Sequence, residues 1–146
     1  MRYNDGAEIV PIEVFQGILR GIADFAAIVP ENYARVQLLT DEAYRDILFK
    51  KWDRLDFPYG SLSGDYPLCE DIAEFCRGDV QRAALRAGVA VRLGFGTLNY
   101  TKNAGLRHAI NYRVIATTHD VLYFEPQTDA YLASPKDCQT MDEFRL

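Results

Sequence analysis

The chain holds only two histidines and three cysteines, so few side chains can supply a nucleophile and the base that would activate it. Cys69 is the first nucleophile candidate. It stands where a Gly-, Pro- and Ser-containing loop gives way to helical spacing. Unpaired N–H groups and the helix dipole both stabilise negative charge at such a point, which favours a thiolate. Glu70 and Asp71 follow at once. They suit a helix start but oppose a neighbouring thiolate, so Cys69 needs a strong imidazole partner. Cys76 lies on the apolar stripe and reads as a small buried hydrophobe. Cys138, in a polar tail, reads as incidental.

His108 lies inside a predicted strand, in His108-Ala109-Ile110-Asn111. His119 sits in the turn Thr117-Thr118-His119-Asp120 and reads as solvated. A thiol–imidazole pair needs a third group to orient the ring. The strand after that turn ends Phe124-Glu125-Pro126-Gln127, and a hairpin returns this end to His108. The register leaves Glu125 and Gln127 both open. Glu125 is preferred, because a carboxylate orients the ring and also stabilises the imidazolium. An amide would only orient it.

The elements that must position these groups follow from periodicity. Ile12, Phe15, Ile18, Leu19, Ile22 and Phe25 recur at three- and four-residue steps and predict a helix over 11–29, opened by Pro11 and stopped by Pro30. A second helix is expected over 41–52 with Thr40 as N-cap. Residues 53–68 read as a loop with aromatic anchors, and residues 69–87 as a third helix closed by Gly88. Strands are expected over 89–95, 107–117, 121–125 and 131–133, with an exposed coil over 94–105. Helices first and an antiparallel sheet afterwards is an α+β pattern.

A length of 146 residues predicts one domain, 1–146, with no metal or disulfide needed to hold its core. The formal charge of −5 argues against a nucleic-acid partner. No apolar run reaches the roughly 18–20 residues of a membrane span. The first eight residues do not read as a signal peptide. An odd number of cysteines without C-x-x-C spacing suits a reducing, cytoplasmic setting.

Three short motifs occur in order: Cys69-Glu70-Asp71-Ile72-Ala73, His108-Ala109-Ile110-Asn111 and Glu125-Pro126-Gln127. Together they resemble the papain-like cysteine-peptidase domain at the C-terminus of fungal chimeric lectins, and related stand-alone bacterial and phage proteins. Glu70 replaces the family's usual Asp and Ile72 its usual Phe. The resemblance implies an α+β papain-like (transglutaminase-like) fold, N-terminal helices packed on a C-terminal antiparallel sheet. It implies Cys69 as nucleophile, His108 as base and acid, and Glu125 as orienting residue; Gln127 and Asn111 are accessory candidates beside them. It also implies a protein or peptide substrate, a homodimer, and calcium, for which Glu70 and Asp71 are the nearby oxygen ligands. An oxyanion donor is also required. The Cys69 backbone N–H is one candidate, and Trp52 or Tyr66 the other. Amide hydrolysis is the favoured expectation. Acyl transfer to an amine, as in transglutaminases, uses the same three groups. A catalytically silent binding module of a phage or bacterium is the alternative of a different class.

Overall fold

The computed structural model describes residues 2–29, 32–53 and 68–146. The first helix is shorter than its apolar period. It is α1, Ile12–Ile22, preceded by the short strand β1, Glu8–Pro11. The backbone turns extended at Ala23, and Ala27–Val29 become strand β2. The expected helix over 11–29 is therefore corrected. Its last three residues are recruited by β8, Cys138–Arg145, to which β2 pairs in parallel. A tertiary partner here outweighs local periodicity.

Strand β3, Arg35–Leu38, pairs antiparallel with β1 in a separate two-stranded sheet. Helix α2, Asp41–Lys51, starts as expected. Thr40 Oγ1 accepts from the Ala43 N–H at 3.2 Å, which satisfies one of the helix's open donors. Helix α3, Cys69–Arg86, ends before Gly88, which adopts φ +91°.

The remaining strands are β4, Phe95–Lys102; β5, Arg107–Val114; β6, Val121–Glu125; and β7, Ala130–Leu132. The large sheet runs β2-β8-β4-β5-β6-β7 and is antiparallel apart from the β2–β8 pair. Two expectations fail at β4. Residues 89–95 do not form a strand, and most of the expected coil over 94–105 does. Gly96 and Asn99 read as turn signals, but Gly96 is there for close approach. A Cβ built on it would lie 1.9 Å from the Arg145 carbonyl of β8.

Alternation along β5 sorts the two sides of the sheet. Ile110, Tyr112 and Val114 join Phe15, Leu19 and Leu38 in one apolar cluster. On the other side, α2 and α3 pack through Tyr44, Ile47, Ile72, Cys76 and Val80, with Phe95 and Phe124. The described residues thus hold eight strands and three helices, with strands contributed by both halves of the chain. The expected papain-like layout, N-terminal helices packed on a C-terminal antiparallel sheet, is corrected accordingly. The edge strand β2 comes from the N-terminal half, and the sheet is mixed.

Candidate functional site

Cys69 is the first residue of α3, half-buried, with Leu68 before it as N-cap. The Asp71 carboxylate turns back and accepts from the Leu68 N–H at 3.0 Å, so this acid secures the helix start. β5 brings His108 to the same point. The His108 ring and the Ala109 backbone amide both lie close enough to the Cys69 thiol to act on its charge. His108 Nε2 donates to Glu125 Oε2 at 2.7 Å. Cys69, His108 and Glu125 are thus brought together from α3, β5 and β6.

The charges support one another. Burial pushes the Cys69 thiol up, but the His108 hydrogen bond, the Ala109 amide and the His108 charge outweigh it, while Glu70 opposes them. The net position is below the ordinary thiol value. Burial lowers His108, yet its bonds to Cys69 and Glu125 push it up to about 9. A thiolate–imidazolium pair is the form these shifts favour. Cys76 is fully buried and its thiol lies well above the ordinary value, because burial penalises the charge. Cys138 is raised for the same reason.

The two third-member candidates stand differently toward the ring. Glu125 meets the ring, whereas Gln127 supports Glu125: its backbone N–H donates to Glu125 Oε1 at 3.2 Å. Asn111 faces α3, away from the ring. Its Nδ2 donates to the Ala73 carbonyl at 2.9 Å and to the Gly96 carbonyl at 3.2 Å, clipping the helix to β5 and β4. Trp52 is corrected as an oxyanion donor. It is buried, and its Nε1 donates to the Pro126 carbonyl at 3.1 Å. Tyr66 lies outside the described residues. Tyr100, which sequence reasoning left in a coil, stands opposite His108 in the β4–β5 register. Its ring meets the imidazole edge-on at 5.6 Å. The signal was available in the alternation of Leu98 and Tyr100, but the flanking Gly and Asn residues masked it.

Glu70 and Asp71 are the acids that the calcium expectation rests on. Asp71 is engaged as a cap, and no group of three or more His, Cys, Asp or Glu among the described residues could hold a metal ion. Two clefts flank the three residues. One, of about 310 Å³, adjoins Ala109 and is lined by Glu70, Asp71, Glu74 and Glu143, with Arg107 and Arg145. The other, of about 380 Å³, opens on the His108–Glu125 side.

No family model and no curated protein matches the chain. Solved structures do. One is the PSL1a–E64 complex, with a TM-score of 0.78 and 19% identity over 94% of this chain and 50% of that one. Another is the Polyporus squamosus lectin bound to the human-type influenza-binding epitope Neu5Acα2-6Galβ1-4GlcNAc. It has a TM-score of 0.72 and 19% identity, over 96% of this chain and 49% of that one. At that identity the likeness establishes a shared fold, with about half of each matched chain. It corrects the identification of the chain as a papain-like, transglutaminase-like cysteine protease or hydrolase of bacterial or phage type. The fold it shares is one found in Polyporus squamosus lectin. Among the described residues, no helix is long and apolar enough to cross a membrane.

Proposed function

We propose that Cys69, His108 and Glu125 work as a thiol nucleophile, its acid–base partner and the orienting carboxylate in attack on an acyl carbon, with amide hydrolysis as the reaction. The observation that carries this is the 2.7 Å contact of His108 with Glu125, on a ring that lies near the Cys69 thiol. The Cys69 thiolate forms a C–S bond to the carbonyl carbon. The Cys69 backbone N–H, unpaired within the helix at its first position, donates to the oxyanion. His108 gives its proton to the leaving nitrogen as the C–N bond breaks. Water then attacks the thioester, His108 takes the proton of that water, and the acid departs as the thiol is restored. An amine in place of water gives acyl transfer by the same steps. A peptide or protein is the substrate of this reading, residues 1–146 its single domain, and a reducing compartment such as the cytoplasm its setting. The chain spans about half the length of the lectin chains it matches, so further domains and partners of the whole protein enter as part of this proposal.

The test is labelling of the native protein with iodoacetamide across pH, and with E64, the compound bound in one matched structure. Peptide mapping should find Cys69 modified first by both. Modification of Cys138 or Cys76 ahead of Cys69 would remove the nucleophile.

A second reading is a catalytically silent binding module. It is favoured by the lectin named in the matched structures, one of which holds a sialylated trisaccharide. Binding of that trisaccharide, combined with an unselective Cys69, would establish it over the first.

A further inference from the structure

The bond from His108 to Glu125 holds one nitrogen of the imidazole. The torsion that turns such a ring about its Cβ–Cγ bond is broad, without sharp staggered wells, so one hydrogen bond acts as a pivot and not as a clamp. Tyr100 supplies the second hold. It stands opposite His108 in the β4–β5 register, and the two rings meet at a centroid distance of 5.6 Å and an angle of 80°. In this edge-to-face arrangement the imidazole cannot turn far without running into the phenol ring. Tyr100 is itself held. It is buried, and its hydroxyl donates to the Lys136 carbonyl at 3.2 Å. Beside that bond, the Asn103 N–H donates to the Asp137 carbonyl at 2.9 Å. The pairing of β4 with β8 is shaped around this tie. Asn99 stands opposite Glu143 and Tyr100 opposite Met141, so Asp142 is passed over. Thr101 stands opposite Thr140 and Lys102 opposite Cys138, so Gln139 is passed over too. The two slips draw the start of β8, and Lys136 before it, back along β4 toward Tyr100. Irregularities of this kind re-aim side chains and concentrate beside active sites. The first is fastened in place, because Thr101 Oγ1 donates to Asp142 Oδ2 at 2.7 Å.

We infer that Tyr100 is a positioning residue of this site: its ring holds the His108 imidazole in the orientation that bonds Glu125 and keeps it beside Cys69, and its hydroxyl, tied to the Lys136 carbonyl, holds the ring. The inference rests on the nucleophilic reading of Cys69. Tyr100 serves there as a wall, not as an acid or base. Its hydroxyl is pushed up to about 12 by burial and by the charges of Glu125, Cys138, Asp137 and Cys69, so it stays a neutral donor to Lys136 while the site works. Tyr100 also lines the cleft on the His108–Glu125 side. An aromatic ring there takes the place of water that would compete with His108 for the carboxylate.

The experiment uses ¹⁵N-labelled full chain in four forms: parent, Tyr100→Met, Tyr100→Phe and Leu98→Ala. Leu98 lies on the same side of β4 in the apolar cluster, so its truncation controls for lost packing alone. Three quantities are read: the His108 titration by NMR, the solvent exchange of its ring N–H, and the rate of Cys69 alkylation by iodoacetamide near pH 7. Tyr100→Met should bring the His108 pKa down by about one pH unit and slow the alkylation several-fold. Tyr100→Phe keeps the ring and loses the tie to Lys136. It should leave the titration in place and speed the exchange of the ring N–H several-fold. Leu98→Ala should lower the melting temperature and leave the His108 titration at its parent position. A His108 pKa unmoved by Tyr100→Met, or moved equally by Leu98→Ala, would overturn the inference. Should Tyr100→Met give no folded spectrum, Tyr100→Phe decides: parent-like exchange of the ring N–H there would overturn it. Alkylation of the parent separates this inference from the reading beneath it. Cys69 modified first, with His108 unmoved in Tyr100→Met, leaves the nucleophile standing and removes the role of Tyr100. A His108 that moves in Tyr100→Met while the parent shows no preference for Cys69 removes the chemistry that Tyr100 serves, and so overturns the inference as stated.

Discussion

Trp52, at the C-terminal end of α2, donates its indole N–H to the carbonyl of Pro126 at 3.1 Å. That bond fixes the residue next to Glu125 to a helix from the other half of the chain. The carboxylate that meets His108 is therefore placed from two sides, by Trp52 through Pro126 and by the Gln127 amide directly. Trp52→Phe keeps most of the apolar volume and removes the donor. It should cost about 1–2 kcal/mol in urea unfolding, because the Pro126 carbonyl is left buried and unpaired. The His108 pKa should fall as Glu125 gains freedom. A His108 titration by NMR identical to the parent would show that Trp52 only packs.

Glu125→Gln tests the carboxylate itself. His108 is pushed up to about 9 by Cys69 and Glu125 against the effect of burial, so removing the charge should bring its pKa down. The sign for stability follows. A histidine raised in the folded state contributes fully below its unfolded value of about 6.5, and that contribution is lost as pH rises through about 9. The variant should thus be less stable than the parent by about 1–2 kcal/mol near pH 6, with the gap closing toward pH 10. Chemical denaturation at the two pH values reads it; a gap that is constant with pH would mean Glu125 carries no charge coupling to His108.

Asn111 holds α3 against the sheet with two donated bonds, to Ala73 and to Gly96. Asn111→Leu leaves two buried carbonyls without that donor. The expected loss is about 2–4 kcal/mol, by denaturant titration. Cys69 alkylation should slow as well, since the helix that carries the thiol loses its tie to the strand that carries His108. Parent-like alkylation in a folded Asn111→Leu would limit the residue to a stability role.

Gly96→Ala should be among the most damaging single changes outside the site. The added methyl would fall 1.9 Å from the Arg145 carbonyl and 2.8 Å from the Tyr112 ring. The β4–β8 pairing must shift, at about 3 kcal/mol or more. A melting temperature within a degree or two of the parent would contradict this close approach.

What was legible in the sequence was local. The Thr40 cap, the start of α3 at Cys69 and the strand Val121–Glu125 all carry short-range signals, and they are where the sequence puts them. The meeting of Cys69, His108 and Glu125 could be argued because a hairpin returns β6 to β5. The rest depends on partners distant in the chain. Ala27–Val29 continue a helical period and become strand only because β8 is beside them. Residues 95–102 look like coil because Gly96 must be small for Arg145. Trp52 looks like a loop donor facing a substrate, and its true acceptor, Pro126, is invisible until α2 packs against the sheet. Motif resemblance carried the class assignment too far, since the matched folds are those of a lectin.

The pH dependence of the site offers the last prediction. Cys69 lies below the ordinary thiol value and His108 is pushed up to about 9, so the thiolate–imidazolium pair fills the interval between them. Alkylation by iodoacetamide needs only the thiolate. Its rate should rise through the lowered Cys69 pKa and not decline above pH 9. Amide hydrolysis also needs the His108 proton for the leaving nitrogen. Its kcat/KM should rise on the same acid limb and fall through about 9, giving a bell where alkylation gives a step. Glu125→Gln should move the alkaline limb to lower pH and narrow the bell, while the alkylation step moves to higher pH because the imidazolium beside the thiol is weakened. Parallel profiles for alkylation and hydrolysis in the parent would show that His108 does not supply the leaving-group proton. An alkylation step at the ordinary thiol value would show that the imidazole does not stabilise the Cys69 thiolate at all.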